Sequence, residues 1–410
     1  MVGNVANYFF QFYMARNLST EDYGILNSLM SLMMILTVPT GVILMVLAKY
    51  SSHFKALKDM AQVRALFLNS LKKVLLYSSL GLVLYLLFSR YLGSFLKVPS
   101  LLPIIILGFI IFFSLLLPVN LGILQGLQKF WSFGIGCGLG GAFRLMFGIF
   151  LVALGLRVNG ALAAIALSSF VLTIFTFIPL RLLFSPKLAP AAYNPPKHNP
   201  GIKENNNALI AYSLPVMLAL FSFMVLVSLD LILVKHYFSA EEAGIYSSAA
   251  VLGRALFFLP TAIVMALFPM VSEHHTLQQD SYHLLRKGLI LTLLLSGFGA
   301  LLYLSAPGLV ISILFGAKFK IAAPLLRLFP LAMLPLALIN LLINFNLARK
   351  KTKFLVPLLL GCICQLFLMS IYHQTLYQIL YILISVNLTI FLSVIIMLIF
   401  ETKQYEVCLQ

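Results

Sequence analysis

Long apolar runs constrain this chain before anything else. Stretches nearly free of charge, such as LLPIIILGFIIFFSLLLPVNLGILQ (101–125) and LYQILYILISVNLTIFLSVIIMLIF (376–400), recur from end to end. Each is long enough to cross a hydrocarbon core of about 30 Å as a helix. At that depth no water satisfies the backbone, so a spanning segment must be helical or part of a closed barrel. Apolar residues make up 61% of the chain and charged residues 10%, against roughly 45–50% and 25% in soluble domains. A soluble fold has too little interior for so many apolar helices. The chain therefore reads as an all-α polytopic membrane protein.

Polar breaks divide it into twelve expected spans: 1–16, 23–48, 70–90, 101–125, 131–156, 159–184, 207–234, 243–270, 286–305, 325–348, 354–373 and 375–400. The first is short for a crossing and is read as lacking a few residues at its start. Residues 1–15 have no basic n-region and carry Asn4, Asn7 and Gln11, so no cleavable signal is read there. If residue 1 is cytoplasmic, eighteen of the 28 Lys and Arg face the cytoplasm, in connections or at span ends, seven face the outer side and three fall deeper within spans. That bias predicts a cell-membrane protein with both termini inside. It also accounts for the net charge of +17 without a nucleic-acid partner. Five prolines in SPKLAPAAYNPPKHNPGIKENNN (185–207) forbid a continuous helix. The expected organisation is an N-terminal lobe (1–184), a cytoplasmic linker (185–206), a C-terminal lobe (207–400) and a cytoplasmic tail (401–410).

An internal repeat supports two halves. STEDYGI (19–25) and SAEEAGI (239–245) share Ser, Glu, Gly and Ile at an offset of 220, and the same offset pairs Asn120 with Asn340, Leu127 with Leu347 and Lys129 with Arg349. Ser19 with Asp22, and Ser239 with Glu242, have capping-box spacing at helix starts. Six spans per half is an even number, so both halves enter the membrane alike. The implied pseudo-two-fold axis lies along the membrane normal, as in transporters that bind substrate between repeats.

Several motifs carry less than their spelling suggests. Gly136, Gly138 and Gly141 form G-x-G-x-x-G, but a dinucleotide site needs a preceding strand and an acid about twenty residues later. The next acid is Glu204. Gly134/Gly138 and Gly136/Gly140 are better read as small-xxx-small pairs for close helix approach. No nucleotide-binding P-loop is present, and no cofactor or metal is expected. Cys362-x-Cys364 lies in an apolar run without a nearby histidine, and His274, His275 and His283 with Glu273 and Asp280 fit no ligand spacing.

Charge at membrane depth is more informative. Arg144 sits near the middle of span 131–156, Arg254 inside 243–270 and Arg327 near the outer end of 325–348. A central Arg costs roughly 2.5–3.5 kcal/mol to insert and usually faces a bundle interior or wet cavity. Arg327 can instead snorkel to the surface, and Arg254 can pair with Asp230, the single acid expected within a span. Three arginines against one acid suit an anion, and Arg grips phosphate bidentately. Asn27, Asn120, Gln125, Asn340 and Asn344 offer hydrogen bonds to sugar hydroxyls or to neighbouring helices. Asp230 is the one intramembrane group available for ion coupling.

FFQFYMARNLSTEDYGILNSLMSLMMILTVPTGVILMVLAKYSSHF (9–54), LGILQGLQKF (121–130) and AGIYSSAAVLGRALFFLPTAIVMALFPMVSEH (243–274) resemble polysaccharide biosynthesis membrane proteins, the oligosaccharide flippases. Their superfamily also holds lipid II flippases and multidrug and toxin exporters. The resemblance implies two six-helix lobes that open alternately to each side, and a substrate made of an oligosaccharide on a polyprenyl diphosphate. It also implies a binding role for Arg16, at the end of the first helix.

The leading expectation is thus a flippase carrying a lipid-linked oligosaccharide across the lipid bilayer by alternating access, for surface polysaccharide synthesis. Arg144 and Arg254 would hold the diphosphate, with Arg16 and Arg327 as further contacts. Helices bearing Pro39, Pro118, Pro260 and Pro335 could bend during the cycle. A polysaccharide polymerase or glycosyltransferases are candidate partners. The alternative is an ion-coupled exporter of small organic molecules, which would favour the opposite charge balance. A membrane enzyme would need a substantial catalytic segment outside the bilayer, and the outer connections are short.

Overall fold

A computed structural model of the 410-residue chain describes residues 2–184, 206–261, 263–264, 267, 270–271, 274, 281–349 and 351–409. The described residues form fourteen α-helices and two 3₁₀ segments, and they separate into two compact units, Met1–Leu209 and Ile210–Gln410. Unit 1 holds α1 (Val2–Asn17), α2 (Thr20–Leu36), α3 (Pro39–Ala56), α4 (Met60–Phe95), α5 (Leu102–Gly126), α6 (Phe130–Ala153) and α7 (Arg157–Phe177), followed by the 3₁₀ segment Ile178–Phe184. Unit 2 holds α8 (Asn206–Tyr237), α9 (Ala240–Phe258), α10 (Tyr282–Ser305), α11 (Pro307–Phe315), the 3₁₀ segment Ala317–Ala322, α12 (Ala323–Ala348), α13 (Leu355–Ile371) and α14 (Leu376–Leu409). Most of the expected linker, and Phe268 and Pro269 of the third resembling segment, lie outside the described residues.

Each of the twelve expected spans coincides with one or more of these helices. Eight are long and apolar enough to cross a membrane alone, and a ninth is possible if α2 and α3 count as one bent span. The other three expected spans correspond to α1, α9 and α13, of 16, 19 and 17 residues. Span 23–48 was expected as one helix. It is two, bent by 41° at a break after Leu36. Pro39 begins α3, where its missing N–H leaves no bond unmade and its fixed φ suits a helix start. The tail expected beyond residue 400 continues α14 to Leu409. At about 1.5 Å per residue, the 36 residues of α4 reach about 54 Å, so this helix outruns a core of about 30 Å. Its middle is exposed and apolar: Leu76, Leu87 and Phe88 are 65%, 68% and 63% accessible. A helix surface of that kind requires lipid around it.

The repeat is visible in helix boundaries. An offset of 220 carries the end of α1 at Asn17 onto the end of α8 at Tyr237, and the start of α2 at Thr20 onto that of α9 at Ala240. The two N-caps share a backbone, φ −63°, ψ 161° at Ser19 and φ −65°, ψ 162° at Ser239. They differ in chemistry. At Ser239 both halves of the capping box form, with Glu242 Oε2 accepting from the Ser239 N–H at 3.0 Å. At Ser19 the hydroxyl accepts from the Asp22 N–H at 3.1 Å. Aspartate is one methylene shorter than the Glu or Gln that a full box uses.

Within unit 1, α5 lies against α3, α4 and α7, and α6 lies against α7 and α1. The tightest approach was not anticipated from the sequence. Gly122 and Gly126, a small-xxx-small pair in LGILQGLQKF, let α5 settle on α3. A Cβ at Gly122 would stand 2.9 Å from the Leu44 carbonyl oxygen, and one at Gly126 would overlap Ser51 Oγ and stand 2.5 Å from the Ala48 oxygen. The expected pairs on α6 divide. Gly136 and Gly140 pack against Leu121, Thr176 and Leu172, whereas Gly134 and Gly138 have nothing within 4 Å. Within unit 2, α12 is the most enclosed helix and packs on α9, α10 and α14.

Gly126→Val should therefore lower the melting temperature of the purified protein in detergent, with overpacking of about 1–3 kcal/mol. Gly138→Ala should leave it unchanged. Equal melting temperatures for both variants and wild type would show that the α3–α5 contact contributes nothing.

Candidate functional site

Membrane-depth polar groups gather at the first two helices of each unit. In unit 2, α8 supplies Asp230 and α9 supplies Tyr246 and Arg254. Arg254 Nη2 donates to Asp230 Oδ1 at 2.7 Å, and the Tyr246 hydroxyl donates to Asp230 Oδ2 at 3.1 Å. The pair is enclosed, with side-chain accessibilities of 8% for Arg254 and 0% for Asp230. Each charge lost its water on burial, and the mutual attraction offsets that loss only while both partners are present. The alternative of an Arg254–Asp230 ion pair is thus the observed geometry, and neither residue presents an unbalanced charge. Lys235, expected in an outer connection, is buried at 2% near the end of α8.

In unit 1 the equivalent helices carry a neutral network. Tyr23 of α2 donates its hydroxyl to Gln11 Oε1 of α1 at 3.2 Å, and Gln11 Nε2 donates to Asn27 Oδ1 at 3.2 Å. Asn27 returns a bond to the Tyr23 carbonyl at 2.9 Å. Asn27 is therefore committed to joining α1 and α2. Each unit thus joins its first two helices through a polar triad that includes a tyrosine, centred on Asp230 in unit 2 and on Gln11 in unit 1, though the residues do not pair at the offset of 220.

Arg144 is different. It lies on α6 one turn before Gly148, where a Cβ would meet Met14 Cε and Phe10 Cε2 of α1 at 2.7 Å. Residues four apart share a helix face, so Arg144 belongs to the α1-facing side of α6. Its Nε is buried with no hydrogen-bond partner among the described residues, as is Asn7 Oδ1 of α1. Glu21, Asp22 and Asp59, the acids of residues 1–184, all stand at helix starts: two in the first turn of α2, one capping α4. None is a mid-span counter-ion for Arg144.

The remaining sequence candidates fall into three groups. Asn120 is a cross-helix link, its Nδ2 donating to the Thr173 carbonyl at 3.0 Å and to Thr176 Oγ1 at 2.9 Å. Gln125 keeps a buried Oε1 without a partner. Asn340 and Asn344 share a face as expected and bond each other, Nδ2 of Asn344 donating to Asn340 Oδ1 at 3.2 Å. Arg16 and Arg327 are exposed near the ends of α1 and α12, with Arg327 placed for snorkelling. Glu273, His275 and Asp280 lie outside the described residues, and among those described no three His, Cys, Asp or Glu side chains gather as metal ligands. Tyr246 and Gln11 were missed. Their signal was present as a polar residue in an otherwise apolar helix, but which neighbour each meets depends on helix packing.

Apolar helices in two units, with charge held at membrane depth, define a polytopic helical membrane protein. The polysaccharide biosynthesis protein family matches residues 1–275, and the chain belongs to that family. An uncharacterised membrane protein of Methanocaldococcus jannaschii is 27% identical over 290 residues, which are 69% of this chain and 66% of that protein. The match thus spans just under two thirds of that relative's length. Among solved structures, an inward-facing multidrug resistance MATE transporter superposes with a TM-score of 0.74 at 15% identity, covering 99% of this chain and 94% of its own. The lipid II flippase MurJ in an inward closed conformation superposes at 0.70 and 12% identity, with 97% and 85% covered. At such identities the likeness establishes the fold.

Asp230→Ala strands the Arg254 charge and should destabilise the protein by about 3–5 kcal/mol. Adding Arg254→Met should restore most of that loss, because a buried pair replaced by apolar groups is close to neutral. Melting temperatures of both variants check this. A double variant no more stable than Asp230→Ala would contradict the compensation.

Proposed function

We propose that the protein is a flippase that moves a polyprenyl-diphosphate-linked oligosaccharide from the cytoplasmic to the outer leaflet of the cell membrane by alternating access, in cell-surface polysaccharide synthesis. The observation that carries the reading is Arg144: a guanidinium at membrane depth in unit 1, its Nε buried without a partner among the described residues, with no mid-span acid among residues 1–184 to balance it. An uncompensated cation in low dielectric is costly unless something anionic completes it. A diphosphate offers several acceptor oxygens to the planar donor fork. Family membership supplies the biosynthetic context.

Arg144 is assigned the first diphosphate contact. Arg254 has a conditional role in the proposal. While Asp230 is ionised, Arg254 is engaged; a proton on Asp230 cancels the attraction and releases the guanidinium for the substrate. Asp230 thereby couples ion binding to substrate binding, and Arg16 and Arg327 add weaker contacts near the helix ends. Asn340 and Asn344 are candidates for sugar hydroxyls. Both termini are placed in the cytoplasm by the Lys and Arg bias. A polymerase or glycosyltransferases on the same polysaccharide route are the proposed partners.

The test is ligand-dependent thermal stabilisation in detergent, since a ligand that binds only the folded state raises its apparent stability. A polyprenyl diphosphate sugar should stabilise wild type, and Arg144→Ala should weaken its binding about tenfold or more, equivalent to about 1.4 kcal/mol. Arg144→Lys should recover part of it. Stabilisation by a lipophilic cation with none from the diphosphate would replace the flippase by an exporter. For coupling, reconstituted Asp230→Asn should transport with an altered pH profile; an unchanged profile at every pH would remove Asp230 from the mechanism.

A further inference from the structure

Unit 1 has a second feature, separate from Arg144. Where α6 begins, the 3₁₀ segment Ile178–Phe184 borders a half-open cavity of about 440 Å³, lined in part by Lys129, Ser132, Ile135, Phe175, Thr176 and Arg181. That volume lies within the range of about 300–1,000 Å³ usual for small-molecule sites. No carboxylate lines it. Lys129 is half-buried, and its Nζ is fixed by donating to the Pro179 carbonyl oxygen at 2.8 Å. An ammonium has three donors, so this anchor leaves others for a ligand. Arg181 contributes a guanidinium from an exposed position on the other wall. The Thr176 hydroxyl is committed to Leu172 and Asn120, which leaves Ser132 as the hydroxyl of the site. Ile135 and Phe175 make the remaining wall apolar.

The surroundings fix the depth. Phe130 and Trp131, at the start of α6, are 64% and 83% exposed, and aromatic side chains of this kind gather at the headgroup level. Lys55 adds a third cation at this end, bonded to the Leu127 carbonyl at 2.9 Å and to Gln128 Oε1 at 2.7 Å. Asp59 is the acid of the neighbouring α3–α4 connection and is occupied as the cap of α4, accepting from the Gln62 N–H at 3.0 Å. Two cations, a hydroxyl and an apolar wall thus meet where a membrane helix enters the interface.

We infer that this cavity binds the phosphate group of an anionic membrane phospholipid, with Lys129 and Arg181 on its oxygens and the glycerol end against Ile135 and Phe175. The site is distinct from the proposed substrate contact. Arg144 lies twelve residues beyond Ser132 along α6, about 18 Å at 1.5 Å per residue. A soluble anion would satisfy the cations but leave the apolar wall and the exposed aromatics without an occupant.

The experiment uses the full chain, delipidated in detergent, with phosphatidylglycerol, phosphatidylcholine or inorganic phosphate added. Retained lipid is counted by native mass spectrometry, and melting temperature is measured in parallel. Wild type should retain phosphatidylglycerol about tenfold over phosphatidylcholine, since each basic residue near the interface adds to anionic-lipid affinity. Lys129→Ala/Arg181→Ala should bring the two lipids to parity. Because Lys129 also anchors Pro179, Arg181→Glu serves as a second variant from an exposed position, and its lipid-free melting temperature should match wild type while the preference is lost. An undiminished preference in Arg181→Glu would overturn the site. Inorganic phosphate stabilising wild type as much as phosphatidylglycerol would overturn its assignment to a lipid.

Discussion

A polar group inside hydrocarbon must find its partner inside the protein, and most of this architecture follows from that requirement. Serine and threonine satisfy it locally, donating back to their own helix, as Ser51 does to Leu47 at 2.6 Å and Ser247 to Ala243 at 2.6 Å. Amides satisfy it across helices. Asn120 ties α5 to α7, and Asn387 ties α14 to α12 by donating to the Ala332 carbonyl at 3.1 Å. Charge satisfies it in a pair, Arg254 with Asp230. Each solution also fixes which helices are neighbours, because a cross-helix bond holds only in one register.

Apolar surface cannot do that work alone. Lipid tails are as apolar as leucine, so helices gain little by hiding apolar faces from them, and association depends on close packing. Glycines provide it in both units. Gly122 and Gly126 seat α5 on α3, and Gly148 seats α6 on α1. Gly253 admits the Phe329 ring between α9 and α12, where a Cβ would stand 2.6 Å from it. The same Phe329 lies 5.5 Å from the Tyr246 ring, so the packing contact borders the charged triad. Exposed leucines on α4 and α10 need no partner, since the solvent at that depth is hydrocarbon.

Much of the fold was legible because its signals are local. Span positions follow from apolar length and the helix starts at 20 and 240 from capping residues; the break after Leu36 was not read, although Pro39 stands just beyond it. What failed to show was any property that depends on which helix lies beside which. Gly134 and Gly138 have the spacing of a packing pair yet meet nothing, whereas Gly122 and Gly126 have the same spacing and touch backbone. Asn27 and Asn120 could serve a cavity or a neighbouring helix, and the sequence did not decide between them; each is in a bond between helices. The Arg254–Asp230 pair was readable only as a possibility, since 24 residues and a turn separate the two.

Duplication explains what the two units share, and divergence explains how they differ. Helix ends and the N-cap geometry occur in both, whereas the polar triads on the first two helices use residues that do not correspond. The charge is not shared. Unit 2 places its membrane-depth arginine against an aspartate, so its field is largely cancelled. Unit 1 joins its first two helices with the neutral Gln11, Tyr23 and Asn27 and carries Arg144 on α6 without a mid-span acid. A cancelled pair can change its charge by gaining or losing one proton, whereas a lone guanidinium stays charged and can act only by what it attracts. Under the proposed function this asymmetry divides the labour: anion recognition rests on the first repeat, and any response to an ion gradient rests on the second.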